Sequence, residues 1–132
     1  RPGARRTRET FEICATAQVV VTDDRPAIME LMKPHLALYV GGMGAEGTNF
    51  HADVYRRMGY AEVVDEVTTL FRSDRKDEAA KVIPDELVDD SAIVGDLAYV
   101  QEQIKAWEAS GVTMMVVGAR SPEQIRDLAA LV

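Results

Sequence analysis

The last forty or so residues constrain the fold most, because two short apolar runs alternate there with two capped helices. Ala92-Ile93-Val94 reads as a strand, and Gly95-Asp96 turns it into a helix with Asp96 as the N-cap. Leu97, Val100, Ile104 and Trp107 form the apolar stripe of that helix, and Gly111 follows its end. The run Val112–Val117, VTMMVV, reads as a buried strand with Met114 and Met115 in its core. Ser121-Pro122-Glu123-Gln124 is a capping box with proline at the first helical position, and Ile125, Leu128, Ala129 and Val132 face inward from the helix it opens. Strand, helix, strand, helix in that order implies parallel strands joined by a right-handed crossover. The fold class is therefore α/β.

A third strand is expected much earlier, over Thr10–Thr22, TFEICATAQVVVT. Its residues alternate and are rich in β-branched types. Phe11, Ile13, Ala15, Ala17, Val19 and Val21 share a wholly apolar face; Glu12, Cys14, Thr16, Gln18 and Val20 make a mixed one. One greasy and one half-polar face suit a barrel wall, with helices outside and a pocket-lining interior. Cys14, mid-strand with no neighbouring histidine, reads as a small buried residue rather than a nucleophile.

The middle of the chain reads as helices. Asp24 is a plausible N-cap with Pro26 in the first turn, and Ile28, Leu31, Met32, Leu36 and Tyr39 recur at helical spacing. Pro34 is expected to kink or restart that helix. Shorter helices are expected over Phe50–Met58, Ala61–Phe71 and Asp74–Val82, the last stopping before Pro84. Asp85, Glu86, Asp89 and Asp90 follow; a solvated helix start explains them better than a hard-cation site does.

Between two of these helices lies Gly42-Met43-Gly44-Ala45-Glu46-Gly47, the G-x-G-x-x-G spacing of a dinucleotide-binding turn. Such a turn needs a strand before it, a helix after it and a second strand beyond. The residues before the glycines continue a helical period, and Ala61–Phe71 has helical periodicity where the second strand would be. The reading is a helix terminus and its loop, still able to bring backbone close to a ligand. His35 and His51 are the only histidines; His51 and Asp53 stand two apart, and on a helix such positions do not face each other. No metal site and no complete catalytic constellation emerges from the residues themselves.

Composition narrows the classes. The 132 residues are the size of one domain and are read as a single piece, 1–132. No apolar run approaches the roughly 20 residues that span a bilayer, and one cysteine allows neither an internal disulfide nor a CxxC pair. A cytoplasmic location, with no membrane contact, is the expectation. Arg1, Arg5, Arg6 and Arg8 make a basic start, yet the net charge is −7 and no aromatics interleave, which argues against nucleic acid. The opening Arg1-Pro2-Gly3, without methionine, reads as chain continued from something before it.

Three stretches in order, KPHLALYVGGMGAEGTNFHADVYRRMGY, PDELVDDSAIVGD and WEASGVTMMVVGA, resemble the C-terminal half of luciferase-like oxidoreductases. The branch they are most similar to is the actinobacterial enzymes dependent on the deazaflavin coenzyme F420. The resemblance runs from Phe11 to Val132 and implies the C-terminal part of a (β/α)8 TIM barrel, with three parallel strands and a helical excursion between the first two. A barrel needs at least about 200 residues, so the chain is expected to be a C-terminal fragment of a longer enzyme. The implied activity is hydride transfer between reduced deazaflavin and a small organic substrate. F420, with FMN as the alternative, would be held mostly by the missing half, and this half would close the barrel and line the substrate side. Barrel geometry then points to Thr16 and Gln18 on the first strand's mixed face, and to Gly118 and Arg120 after the last strand. Tyr39, Gly41, Gly42, Met43, Asn49 and Phe50 of the glycine loop are the other pocket candidates, with no catalytic residue assigned. A homo-oligomer, or pairing with the missing half, is expected. The rival readings are an FMN-dependent monooxygenase of the same superfamily and a stand-alone half-barrel that binds or assembles with a partner.

Overall fold

The structure, a computed structural model, describes residues 11–45, 47–119 and 121–131. The described residues divide into two units, one formed by those from 11–23 and 92–131, the other by those from 24–91.

The first unit is a three-stranded parallel sheet with two helices: β1 (Cys14–Val21), β2 (Ala92–Gly95), α6 (Leu97–Ala109), β3 (Met114–Val117) and α7 (Pro122–Ala129). The first four residues of β1 pair with β3, Cys14 opposite Met114 through Ala17 opposite Val117. The last four pair with β2, Gln18 opposite Ala92 through Val21 opposite Gly95. The order is β2-β1-β3, with β1 central. Winding in sequence around a barrel would put β2 between the other two; here β3 takes the edge of β1 that β2 leaves free.

The helices cover one face of the sheet. Ala17, Val19, Ile93 and Val100 are buried together, with Ile104, Trp107 and Leu128 packed against them. Caps hold both helices as the sequence implied. Asp96 accepts the Tyr99 N–H at 2.8 Å, Ser121 accepts that of Gln124 at 3.2 Å, and Gly111 at φ 99° follows the end of α6. The other face of β1 and β3 is bare. Cys14 is exposed and Met114 is 46% exposed, against the expectation that both are core. The physical reason is that both sit on the alternate positions that neither α6 nor α7 reaches. Phe11 and Ile13 also fall outside the core, because β1 starts only at Cys14.

The second unit is helical: α1 (Arg25–Ala37), a π-helical turn (Leu38–Gly42), α2 (Phe50–Arg57), α3 (Ala61–Arg72), α4 (Lys76–Val82) and α5 (Asp85–Asp89). Its core includes Met29, Val40, Val64, Val67, Ile83 and Leu87. Pro34 lies inside α1, which does not restart there: Leu38 N–H bonds to the His35 and Pro34 carbonyls and the helix continues into the π turn. A proline inside a helix costs about 3 kcal/mol. Burial of Met29, Leu36, Ala37 and Val40 on both sides of it offsets that.

The acidic run after Pro84 forms α5 and its C-cap Asp90, and Asp85, Asp89 and Asp90 have protein partners. Asp89 pairs with Arg25, Asp85 lies 2.8 Å from Lys33 Nζ, and Asp90 accepts the Tyr60 hydroxyl at 2.7 Å. Lys33 is buried to 9% exposure and pairs with Glu30 as well; the Asp85 bond first and the Glu30 bond second raise its pKa. Among the described residues no group of three potential ligands could hold a metal ion. No helix among them is long and apolar enough to cross a membrane.

Candidate functional site

The glycine loop hangs on the π turn, and the π turn depends on its glycines. A Cβ at Gly41 would stand 2.6 Å from Phe71 Cβ and 3.0 Å from the Val67 carbonyl oxygen; one at Gly42 would stand 2.5 Å from Phe71 Cε1. These two positions lack side chains because α3 packs directly on the backbone there. Gly44 and Gly47 serve differently, with φ of 74° and 75° that only glycine adopts freely. Gly44 precedes, and Gly47 lies within, the turn in which Thr48 N–H bonds to the Ala45 carbonyl at 3.0 Å.

Asn49 closes the loop. Its carbonyl oxygen accepts from the His51 and Ala52 N–H groups at 3.0 and 3.2 Å, capping α2. Its amide nitrogen donates to the Tyr39 and Val40 carbonyls, both at 2.8 Å. A π turn shifts bonding to i+5 and so frees carbonyls that an α-helix would use. Asn49 takes two of them and uses its whole hydrogen-bonding capacity doing so.

The rings of the region form a chain. His35 meets Tyr39 at 4.7 Å between centroids, Tyr39 meets His51 edge-on at 4.8 Å, and His51 meets Phe50 at 4.1 Å. Both histidines thus converge on Tyr39, which their positions in sequence did not suggest. Asp53 turns to Arg56, at 3.4 Å, in agreement with the i, i+2 argument against a His51–Asp53 pair. Phe50, at 69% exposure, and Met43 reach solvent.

Within this unit the structure gathers Tyr39, Gly41, Gly42, Met43, Asn49 and Phe50 around the π turn and the start of α2. In the sheet unit Thr16 and Gln18 are exposed on the bare face, beside Met114 and Val116. Gly118 lies past the end of β3 with nothing within 4 Å of where a Cβ would be. Arg120 lies outside the described residues. The dinucleotide reading of the glycines gains no support, because a π turn precedes them and α2 follows, with no strand among the described residues from 24 to 91.

Two cavities were not foreseen, each of about 360 Å³. One is apolar and lies in the sheet unit, lined by Trp107, Met115, Leu128 and Leu131 among others. The other lies between α2, α3 and the loop at Gly47, with Arg56, Thr68, Thr69 and Arg72 in its walls. The one sequence signal for the second is Thr68 and Arg72 at i, i+4, on one face of α3.

Against known proteins, residues 3–114 match the model of the luciferase-like monooxygenase family. The chain belongs to that family. It is 75% identical over all 132 residues to a protein of Mycobacterium tuberculosis that carries the provisional name of coenzyme F420-dependent oxidoreductase, and it spans 38% of that relative's length. No solved structure gives a significant match. Three parallel strands with their helices agree in class with part of the luciferase-like TIM-barrel fold, while the order β2-β1-β3 departs from the sequential order of a closed barrel.

Proposed function

We propose that the chain is the C-terminal part of an F420-dependent luciferase-like oxidoreductase, in which it closes the barrel and lines the substrate side. The observation that carries this is the 75% identity along the whole chain to a relative bearing that name. The bare sheet face supports it. Thr16, opposite Val116, and Gln18, opposite Ala92, present a hydroxyl and an amide on the face where Met114 and Val116 are exposed, a mixture that fits the edge of a planar ring system and a small organic substrate. When bound, the reduced deazaflavin supplies the hydride. The chain's own residues orient and exclude water: Gln18 and Thr16 offer polar contacts, Met114 and Val116 keep the wall dry, and Gly118 leaves the strand end open. Within the helical unit, the glycine loop, fixed by Asn49, presents Tyr39, Phe50 and Met43 as candidate ligand contacts of its own.

With one face of β1 and β3 uncovered, the sheet needs a partner. The remaining strands of a barrel are the partner proposed here, with self-association the outcome when they are absent. Light scattering on the chain is expected to show an oligomer; a stable monomer would count against this reading. The cofactor is tested by offering reduced F420 and reduced FMN in turn to the assembled enzyme. Turnover with F420 supports the proposal, and turnover with FMN alone overturns it.

A further inference from the structure

The polar cavity between α2, α3 and the glycine loop plays no part in the redox reading, and its chemistry is specific. Its floor is apolar, with Val40 and Ala52 both buried. The charges in its walls are not balanced. Arg56 is pinned, its Nη2 at 2.7 Å from Asp65 and its Nη1 at 3.4 Å from Asp53, and the Asp65 bond raises its pKa. Those contacts also occupy both carboxylates, so the cavity is poorly suited to a cation. Arg72 has no ion-pair or hydrogen-bond partner among the described residues. Its planar fork of donors is free to bind an oxyanion through two parallel bonds. Thr68 adds a weakly committed hydroxyl, whose bond to the Val40 carbonyl is 3.5 Å long, at the limit of a hydrogen bond. Asn49, by contrast, is fully used and contributes shape alone.

A site with donors on one side, neutralised acids and an apolar floor selects an acceptor-only group. We propose that this cavity binds the carboxylate or phosphate group of a small molecule, held in bidentate fashion by Arg72 with help from Thr68 and the remaining N–H groups of Arg56. Gly47 lines the loop side of the cavity, and apart from its chain neighbours no described atom lies within 4 Å of where its Cβ would stand. The proposal does not depend on the oxidoreductase reading, since it concerns binding to the chain without any redox cofactor.

The test is a heteronuclear NMR titration of the full-length protein that carries these residues, free of cofactor, with inorganic phosphate and, separately, with glutarate. Each is run at low ionic strength and at about 0.15 M salt, where exposed charges are screened beyond about 8 Å. Saturable shifts of the Gly47, Thr68, Thr69 and Arg72 amides are expected, and the tighter of the two probes distinguishes a phosphate from a carboxylate ligand. Arg72→Gln is expected to weaken binding at least about tenfold, or about 1.4 kcal/mol. Arg72→Lys, which keeps the charge and loses the fork, falls between. Arg57→Gln, an equal change of charge at an exposed position of α2 outside the cavity, leaves affinity within about twofold. Two results would overturn the proposal: no saturable shift with either probe at low salt, or equal weakening by Arg57→Gln and Arg72→Gln.

Discussion

Replacing Asn49 separates two jobs that one amide performs. In Asn49→Ala the cap of α2 is lost, which costs about 0.5–2 kcal/mol. The carbonyls of Tyr39 and Val40 also lose their donor. Val40 is fully buried, so its carbonyl, left with only the long Thr68 contact, adds about 1–3 kcal/mol. The two terms overlap in part, and a loss of about 2–4 kcal/mol is expected, read as a lower urea midpoint by circular dichroism with an unchanged slope. Asn49→Asp keeps the capping oxygen, with added favour from the helix dipole, but places a carboxylate against two carbonyl oxygens. Amide hydrogen exchange tells the two jobs apart. In Asn49→Ala the His51 and Ala52 amides lose at least about tenfold in protection, since about 1.4 kcal/mol is a decade. In Asn49→Asp they keep it while the unit is still destabilised. A change below about 0.5 kcal/mol in Asn49→Ala, the range of an ordinary surface substitution, would refute the clamp.

Other substitutions probe the remaining claims. Gly41→Ala drives a methyl into Phe71 and the Val67 carbonyl and is expected to cost at least about 1–3 kcal/mol; Gly47→Ala, strained in φ yet unobstructed, costs about 1–2 kcal/mol, and thermal melts that rank them the other way would refute the packing account. The Tyr60 hydroxyl is pushed up to about 12 by its bond to Asp90, then by burial and by the nearby Asp90, Glu86 and Asp89 charges. Its contribution to stability is complete below the unfolded tyrosine's value of about 10 and is lost as pH rises through about 12. In a phenolate absorbance titration Asp90→Asn is expected to bring Tyr60 down, and no change would remove Asp90 as the cause. Met114→Cys places a second cysteine in register with Cys14 on the same bare face, on strands about 4.8 Å apart, within the span a disulfide bridges. Mild oxidation is expected to close an internal disulfide, and failure would mean that β1 and β3 are not neighbours.

Much of this architecture was legible because local chemistry writes it. Asp24, Asp96 and Ser121 cap helices as their side chains and positions require, Gly111 follows the end of α6, and the helical period gave α2 and α3 to within a residue or two. Strand order was hidden, because pairing β1 with β3 joins residues about a hundred positions apart. The exposure of Cys14 and Met114 was hidden for a related reason: β3 is apolar on both faces, the mixed face of β1 carries no charge within the strand, and only the placement of α6 and α7 decides which face is covered. The π turn leaves little trace in the period of its side chains, and the role of Gly41 and Gly42 depends on Phe71, thirty residues on. The arginine cavity needs two helices brought together before it exists. At the site, Asn49, named among the pocket candidates, is the residue whose hydrogen bonds hold the loop, a role that its position in sequence does not announce.

The mass of the native polypeptide in its source cells bears most directly on the claim that this chain is part of a luciferase-like enzyme. The account predicts a chain of at least about 200 residues, the least that closes a TIM barrel, carrying these 132 as its C-terminal part. A native mass of 14.5 kDa would contradict it and leave the sheet's bare face to a separate partner.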